Sequence, residues 1–141
     1  MWRMPEPVAA DVLVVGAGLA GLYTALRCAN HGRRVVLATK GSVWSSNSYY
    51  AQGGIAAAVG PDDDPDRHVA DTLAAGAGLC DLAAVEVLCH EGVKRLYDME
   101  AYGIVFDRDA DGRLHLGLEG AHSRRRVLHV GGAESGRRMS E

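Results

Sequence analysis

The chain has 141 residues and a formal net charge of −3. This length is enough for one domain with its own hydrophobic core, but not comfortably for two. The small net charge excludes a concentrated basic surface, so we predict neither nucleic-acid nor membrane binding. No apolar run could span a bilayer. The cysteines, Cys28, Cys80 and Cys89, include no C-x-x-C pair, and we interpret them as reduced thiols of a cytoplasmic protein.

The N-terminal third of the sequence predicts a βαβ unit. Residues 1–10 have the composition of a flexible tail, and residues 11–15 form a short apolar run typical of a strand buried on both faces. Apolar residues at helical spacing follow over 22–31, with Gly32 as a left-handed C-cap. A second buried strand is predicted at 35–38. This order of elements predicts an α/β fold of the Rossmann-like kind.

A G-x-G-x-x-G motif joins the first strand to the helix and predicts dinucleotide binding. Its first glycine allows the sharp turn, the second lets a pyrophosphate approach the backbone, and the third lets the helix pack closely. The free N–H groups at the start of the helix attract phosphate oxygens. The motif comprises Gly16, Ala17, Gly18, Leu19, Ala20 and Gly21.

The residue after the second strand does not identify the dinucleotide. Many NAD-binding proteins carry an acidic residue there for the ribose hydroxyls, but this chain has Lys40. From the residues alone, a lysine that faces the ribose or a phosphate and a lysine exposed to solvent are equally good interpretations.

The middle of the chain predicts two helices. An acidic turn at 61–66 supplies N-capping carboxylates for a helix over 68–75. A second helix is predicted over 82–100, with Asp81 as its N-cap and Gly103 as its end. We expect an inward apolar stripe formed by Leu82, Val85, Leu88, Leu96 and Met99.

A β-hairpin is predicted after the second helix. It comprises a strand at 104–107, a turn at 109–112 that contains Asp-Gly, and a returning strand at 113–118. The glycine-rich stretch from residue 131 onward is expected neither to cap an element nor to close a domain.

Two charged patterns have ordinary explanations. His115, His122 and His129 are spaced by seven residues, but a hairpin and loop separate them, so a zinc site is disfavoured. The run at 124–126 contains three arginines. A solvated or substrate-side loop is favoured over a phosphate site.

Three segments resemble one flavoprotein family. Residues 46–55, S-N-S-Y-Y-A-Q-G-G-I, resemble the flavin-facing loop of the succinate dehydrogenase and fumarate reductase flavoproteins, in the form found in L-aspartate oxidases. Residues 71–81 and 118–129 resemble the same enzymes, in the same order and spacing. The resemblance therefore runs from about residue 11 to residue 129.

The resemblance implies FAD as cofactor. The glycine motif would lie on the FAD pyrophosphate and Lys40 near the adenosine ribose, which favours a functional lysine. Asn47 stands where the membrane-bound dehydrogenases have a histidine bonded covalently to the flavin, so non-covalent FAD is expected. The loop residues expected along the flavin and ribityl chain are Asn47, Ser48, Tyr49, Tyr50, Ala51, Gln52, Gly53 and Gly54. Of Tyr49 and Tyr50, we expect one to stack on the flavin and one to pack in the core.

The resemblance also implies a substrate site. Glu119 matches the glutamate that faces the substrate in L-aspartate oxidases, where a carboxylate suits an ammonium group, and His122 belongs to the same motif. The family's arginine and second glycine are replaced by Leu118 and Ala121. No catalytic residue is assigned within the chain, since the capping domain and the arginines that hold the substrate carboxylates are expected beyond residue 141.

The implied activity is oxidation of L-aspartate to iminoaspartate, the first step of de novo NAD synthesis. Oxygen or fumarate would reoxidise the flavin, and quinolinate synthase would receive the product. We expect residues 11–141 to be the N-terminal part of an FAD-binding domain that stops before the capping domain. Three alternatives stay open: an inactive truncated product, a succinate- or fumarate-class flavoprotein, and a plain NAD-binding module.

Overall fold

The computed structural model describes residues 7–141. They form two compact units: residues 7–50 with Ser140 and Glu141, and residues 51–139. Of the predicted tail, residues 1–6 lie outside the described part, whereas residues 7–10 are exposed and lack regular secondary structure. Within residues 7–141, no helix has both the length and the apolar character needed to cross a membrane.

The first unit contains the predicted βαβ arrangement. Strand β1 (Val12–Val15) pairs in parallel with β2 (Val35–Ala38), and helix α1 (Leu19–Asn30) connects them. Helix α1 begins three residues before its predicted start, directly after Gly18, so its first backbone amides belong to the glycine motif. Gly32 has φ +72°, which confirms its predicted left-handed conformation.

Two long helices and one short helix follow. Helix α2 (Pro65–Ala75) and helix α3 (Leu82–Ala101) are capped as predicted. The Asp64 carboxylate accepts the Arg67 N–H at 2.9 Å, and the Asp81 carboxylate accepts the Ala84 N–H at 2.8 Å. Each carboxylate thereby satisfies a backbone donor that has no partner inside its helix.

The buried stripe of α3 differs from the prediction. Leu82 and Leu88 are exposed, and Cys89 is buried instead. Successive residues of an α-helix are rotated by about 100° around its axis, which places both leucines at the edges of the buried face. The face that packs in the core is therefore narrower than predicted. The buried residues of α3 are Val85, Cys89, Leu96 and Met99.

The second unit has a small antiparallel sheet in the order β3-β5-β4. Its strands are β3 (Ile55–Ala56), β4 (Leu116–Gly117) and β5 (Val127–Leu128). The returning strand predicted at 113–118 is therefore shortened to two residues. Neither β3 nor β5 was predicted, because two residues are too few to show an alternating pattern.

The prediction of a strand at 104–107 is wrong. The Asp107 N–H donates to the His129 carbonyl at 2.8 Å, while the Asp107 carbonyl accepts from the His115 N–H at 2.9 Å. The backbone at residue 107 thus divides its bonds between two segments, and only an isolated bridge, Arg108 with Leu114, forms beside it. The predicted turn is confirmed: Gly112 has φ +78°, and the Asp109 carboxylate accepts the Asp111 and Arg113 N–H groups.

The C-terminal stretch, for which no helix was predicted, forms regular structure. A 3-10 turn (Gly132–Glu134) leads into helix α4 (Ser135–Ser140). The Asp107 carboxylate accepts the Gly131 and Gly132 N–H groups, each at 2.8 Å. These two bonds lower the pKa of Asp107. A carboxylate twenty-four residues away therefore fixes the turn that starts these helices, which local sequence patterns do not show.

Candidate functional site

The glycine motif forms a turn that brings strand and helix into close contact. The Gly16 N–H donates to the Ala38 carbonyl at 2.8 Å, which fixes the turn at the end of β2. Gly16 has φ +109°, a conformation that side chains disfavour. A Cβ on Gly21 would lie 2.0 Å from the Gly16 oxygen. The third glycine of the motif is thus required by the close approach of α1 to the turn.

The start of α1 is linked to the polar loop at residues 41–50. Gly18 has no side chain to cap the helix, and the Leu19 N–H donates to the Ser48 Oγ at 3.0 Å. A Cβ on Gly18 would lie 3.3 Å from the same oxygen. Ser48 therefore stands at the helix N-terminus, where backbone N–H groups favour phosphate oxygens.

An open cleft of about 460 Å³ lies beside this turn, within the first unit. Lys40 lines the cleft and is exposed. The cleft offers backbone donors, a cation and hydroxyl groups, a combination that suits a phosphate-bearing ligand. Its lining residues are Val15, Gly16, Ala17, Ala38, Thr39, Lys40, Ser45, Ser46 and Asn47.

Three aromatic side chains pack together at the end of the polar loop. The Tyr49 ring packs edge-to-face on Tyr50, with centroids 5.4 Å apart, and lies 6.1 Å from the Trp44 ring. Tyr50 keeps 69% of its surface exposed, so it is not a core residue. Tyr49 is half-buried between the other two rings. Which tyrosine stacks on a flavin stays a prediction.

The remaining loop residues belong to the second unit. The Ala51 carbonyl accepts the Gly136 N–H at 2.9 Å, while Gln52 and Gly53 are exposed. A Cβ on Gly54 would lie 2.0 Å from the Leu128 carbonyl oxygen. Gly54 thus lets the backbone approach β5 immediately before Ile55 pairs with Leu128.

A buried arginine organises the second unit. The Arg126 side chain is 0% exposed, and its guanidinium makes two bonds to Asp63, at 2.7 and 2.8 Å, and one to Asp71 at 2.7 Å. Arg126 is therefore not solvated, so this part of the expectation is wrong for it, whereas the substrate-side alternative stays a prediction. Two carboxylates compensate the buried cation, and its bidentate geometry with Asp63 is the strongest kind of ion pair.

Asp71 connects this arginine to the loop that carries the candidate substrate residues. One of its oxygens accepts the N–H and the hydroxyl of Ser123, both at 2.8 Å, as well as the Arg126 guanidinium. These contacts, led by the Ser123 N–H, lower the pKa of Asp71 to about 2. Ser123 follows His122 directly, so Asp71 anchors the backbone next to that histidine.

His122 lies over the same network. Its Nδ1 is 3.5 Å from an Arg126 nitrogen, and its ring centroid is 5.7 Å from that of His68. Burial, followed by the charge of Arg126, lowers the pKa of His68, so His68 is neutral at physiological pH. Residue 121, between Glu119 and this network, is an alanine with φ +67°. A glycine fits that conformation without strain.

Glu119 lies at the other end of this loop and is half exposed. Its Oε1 is 3.2 Å from the Nε2 of His129, which follows β5. The sequence placed His129 in a histidine spacing and at the end of the segment 118–129 that resembles the family, and neither pattern gave a reason to pair it with Glu119. Across residues 7–141, no three histidine, cysteine, aspartate or glutamate side chains are grouped so that they could hold a metal ion.

The predicted site residues therefore fall into two sets. Gly16 to Gly21, Lys40 and Asn47 to Tyr50 lie in the first unit, where part of this set lines the cleft. Ala51 to Gly54, Glu119 and His122 lie in the second unit. Four further residues were not assigned to the site from the sequence. Asp71, Arg126 and His129 contact the loop at residues 119–123, and Asp63 bonds Arg126.

Comparison with protein families gives a match over residues 11–141 to the family described as FAD binding domain. The chain is 48% identical over 133 residues to L-aspartate oxidase of Streptomyces coelicolor, covering 94% of this chain and 23% of that protein. It is 56% identical over 120 residues to L-aspartate oxidase of Nostoc sp., covering 85% of this chain and 20% of that protein. The chain spans about a quarter or less of the length of these relatives.

Solved structures give the same architecture. The Mycobacterium smegmatis Sdh1 complex in the apo form matches with a TM-score of 0.86 and 34% identity, covering 93% of this chain and 22% of that chain. Escherichia coli quinol fumarate reductase FrdA, with an E245Q mutation, also matches with a TM-score of 0.86, at 29% identity, covering 93% of this chain and 23% of that chain. The predicted Rossmann-like α/β class is confirmed.

Proposed function

Because this chain belongs to the FAD binding domain family, we propose that it supplies the N-terminal FAD-binding part of an L-aspartate oxidase. The cofactor is FAD, as predicted. The proposed reaction of the whole enzyme is oxidation of L-aspartate to iminoaspartate, the first step of de novo NAD synthesis. Oxygen or fumarate would be the electron acceptor, and quinolinate synthase would consume the product. The support for this activity is the similarity to L-aspartate oxidases across most of the chain.

The observation that carries the proposal is the glycine turn beside the cleft. Gly21 brings the first turn of α1 against the Gly16 carbonyl. Gly16 and Ala17 of the same turn line the cleft, a placement that suits a pyrophosphate. The carboxylate that NAD-binding proteins use for the ribose is replaced by Lys40, whose charge suits a phosphate. The residues of this chain therefore fit a dinucleotide such as FAD.

FAD would be held without a covalent bond to this loop. The residues proposed to hold it are the glycine turn, Lys40 and the loop from Asn47 to Gly54. Asn47 lines the cleft, and an asparagine amide is not a nucleophile of the kind that bonds a flavin covalently. When bound, FAD supplies a two-electron acceptor for a hydride from the substrate.

Glu119 and His122 are proposed to face the substrate. Glu119 is half exposed and presents a carboxylate, the group that an ammonium ion binds best. Asp71 holds the Ser123 backbone at 2.8 Å, which restrains the loop between the two residues. This arrangement favours an amino dicarboxylate such as L-aspartate over a dicarboxylate that lacks an amine, and so favours this reaction over that of a succinate-class flavoprotein.

The proposal is tested by recording the visible absorbance of the purified protein, with and without added FAD. We expect the two flavin bands, and acid precipitation should leave the flavin in the supernatant because no covalent bond retains it. Addition of L-aspartate under anaerobic conditions tests the proposed reaction, because hydride transfer from the substrate bleaches the flavin bands. A colourless protein that takes up no FAD would contradict the proposal, and flavin that stays with the precipitate would contradict non-covalent binding.

A further inference from the structure

We propose that His129 is a positioning residue for Glu119, and that this pair sets the preference for an amino dicarboxylate over a dicarboxylate without an amine. The inference rests on the proposed function, because it concerns the same substrate site. It adds a residue that neither the glycine turn nor the flavin loop would suggest, and it gives that residue a role in specificity.

The contact joins a restrained residue to an exposed one. The His129 Nε2 lies 3.2 Å from the Glu119 Oε1, and the side chains are 21% and 50% exposed, respectively. Glu119 follows β4 by two residues, in a loop, whereas His129 follows β5 directly. A glutamate side chain in a loop has several accessible rotamers, and a fixed donor reduces their number.

His129 is itself held on two sides. Its carbonyl accepts the Asp107 N–H at 2.8 Å. Its ring passes close to Gly117 of β4, since a Cβ on Gly117 would lie 3.3 Å from the His129 Cε1. The Asp107 carboxylate is in turn bound to the Gly131 and Gly132 N–H groups. The backbone of His129 is thus fixed by residue 107, and its ring lies beside Gly117 of β4.

The geometry suits recognition of an ammonium group. An imidazole that donates its Nε2–H to one carboxylate oxygen leaves the second oxygen free to accept from the substrate. A carboxylate oxygen is also a stronger acceptor for an ammonium group than a neutral oxygen would be. Succinate has no ammonium group, so its binding gains nothing from an oriented Glu119.

The experiment measures the dissociation constants of L-aspartate and succinate for the FAD-loaded full chain, from the change in flavin absorbance. Replacement of His129 by leucine should reduce the preference for aspartate about tenfold. Without the imidazole, Glu119 is no longer held in the orientation that bonds the ammonium group, and weakening a hydrogen bond between charged groups has about this effect. Affinity for FAD and for succinate should not change. His129→Gln retains a side-chain N–H donor, so it should retain most of the preference.

His115→Leu is the matched control. His115 is an exposed histidine of the same unit. Its replacement should leave the ratio of the dissociation constants of aspartate and succinate unchanged. Far-UV circular dichroism of each variant shows whether it folds. If His129→Leu does not fold, the comparison of His129→Gln with the unaltered protein still tests the role of His129.

The possible results separate the two proposals. If the unaltered protein binds aspartate more tightly than succinate and the His129 variants keep that ratio, the role of His129 is overturned while the proposed function survives. If the unaltered protein binds FAD but shows no preference for aspartate, Glu119 and His129 do not set that preference, and the role of His129 is overturned while the proposed FAD binding stands. A loss of preference in His129→Leu that His129→Gln largely restores supports both.

Discussion

The two units of the chain are stabilised by different means. In the first unit, backbone groups meet each other at close range: β1 pairs with β2, and Gly21 allows α1 to approach the Gly16 carbonyl. In the second unit, a buried guanidinium joins two carboxylates that come from different segments. The first arrangement depends on the absence of side chains, and the second depends on three charged side chains being present together.

This difference has a consequence for function. A backbone cradle binds a phosphate through groups that every residue carries, so its specificity lies in shape. An ion-pair network holds the neighbouring side chains and backbone in fixed positions, but burying its charged groups costs desolvation free energy. The unit with the glycine turn suits a phosphate-bearing ligand, whereas the buried arginine of the other unit holds neighbouring groups in fixed positions.

The largest expected effect is removal of the buried charge in the second unit. Arg126→Met should lower the free energy of unfolding by about 3 to 5 kcal/mol, because it leaves the carboxylates of Asp63 and Asp71 uncompensated. Urea titration monitored by circular dichroism measures this change. Arg125→Met alters an exposed neighbour in the same run of arginines, and we expect a change within about 0.5 kcal/mol. Equal effects of the two substitutions would remove the contrast between the units.

The corresponding change in the first unit is Gly21→Ala. A methyl group would have to displace the Gly16 carbonyl or α1, at a cost of about 1 to 3 kcal/mol in stability. FAD affinity should fall about tenfold or more, since the amides at the start of α1 move with the helix. Fluorescence titration with FAD measures this loss. A Cβ on Gly41 meets no atom within 4 Å, so Gly41→Ala should bind FAD like the unaltered protein.

A smaller effect should appear with pH in the second unit. The pKa of Asp71 is lowered from 3.8 to about 2, so the folded state favours its charged form. The stability that this gives is present above pH 3.8 and is lost as the pH falls towards 2. We expect it to be on the order of 1 kcal/mol after solvent screening. Urea midpoints compared between pH 6 and pH 2.5 should fall less steeply in Asp71→Asn; an identical slope would exclude this carboxylate as the cause.

The smallest effect concerns the backbone of the loop at residues 119–123. Ala121 has φ +67°, a conformation that costs a residue with a Cβ about 1 kcal/mol more than a glycine. Ala121→Gly should therefore raise the free energy of unfolding by about 0.5 to 1 kcal/mol. Thermal unfolding by calorimetry would detect the change. A loss of stability would mean that the greater freedom of glycine in the unfolded chain outweighs the relief of strain.

Local patterns were sufficient to predict the first unit. Its strands, its glycine turn and Gly32 depend on neighbours in the sequence, so apolar runs and glycines predict them within a few residues. The same holds for the caps Asp64 and Asp81, each of which bonds an amide three residues ahead. These features are determined over short separations, at which sequence periodicity is informative.

Long-range partners explain what the sequence did not show. Arg126 stands in a run of three arginines that resembles a solvated loop, and only its partners at residues 63 and 71 make it a buried group. The helix at 135–140 depends on the Asp107 carboxylate for the turn before it. His129 became a candidate only when the fold brought it to Glu119. Each of these pairings requires tertiary structure.

The buried arginine also constrains the order in which the chain can close during its synthesis. Asp63 and Asp71 leave the ribosome before Arg126 does, since synthesis runs from the N-terminus. Until then, packing α2 against its neighbours would bury carboxylates that have no counter-charge, which is costly. The ion pairs that bury Asp63 and restrain Asp71 can therefore form only after Arg126 has emerged, so this part of the second unit closes late in synthesis.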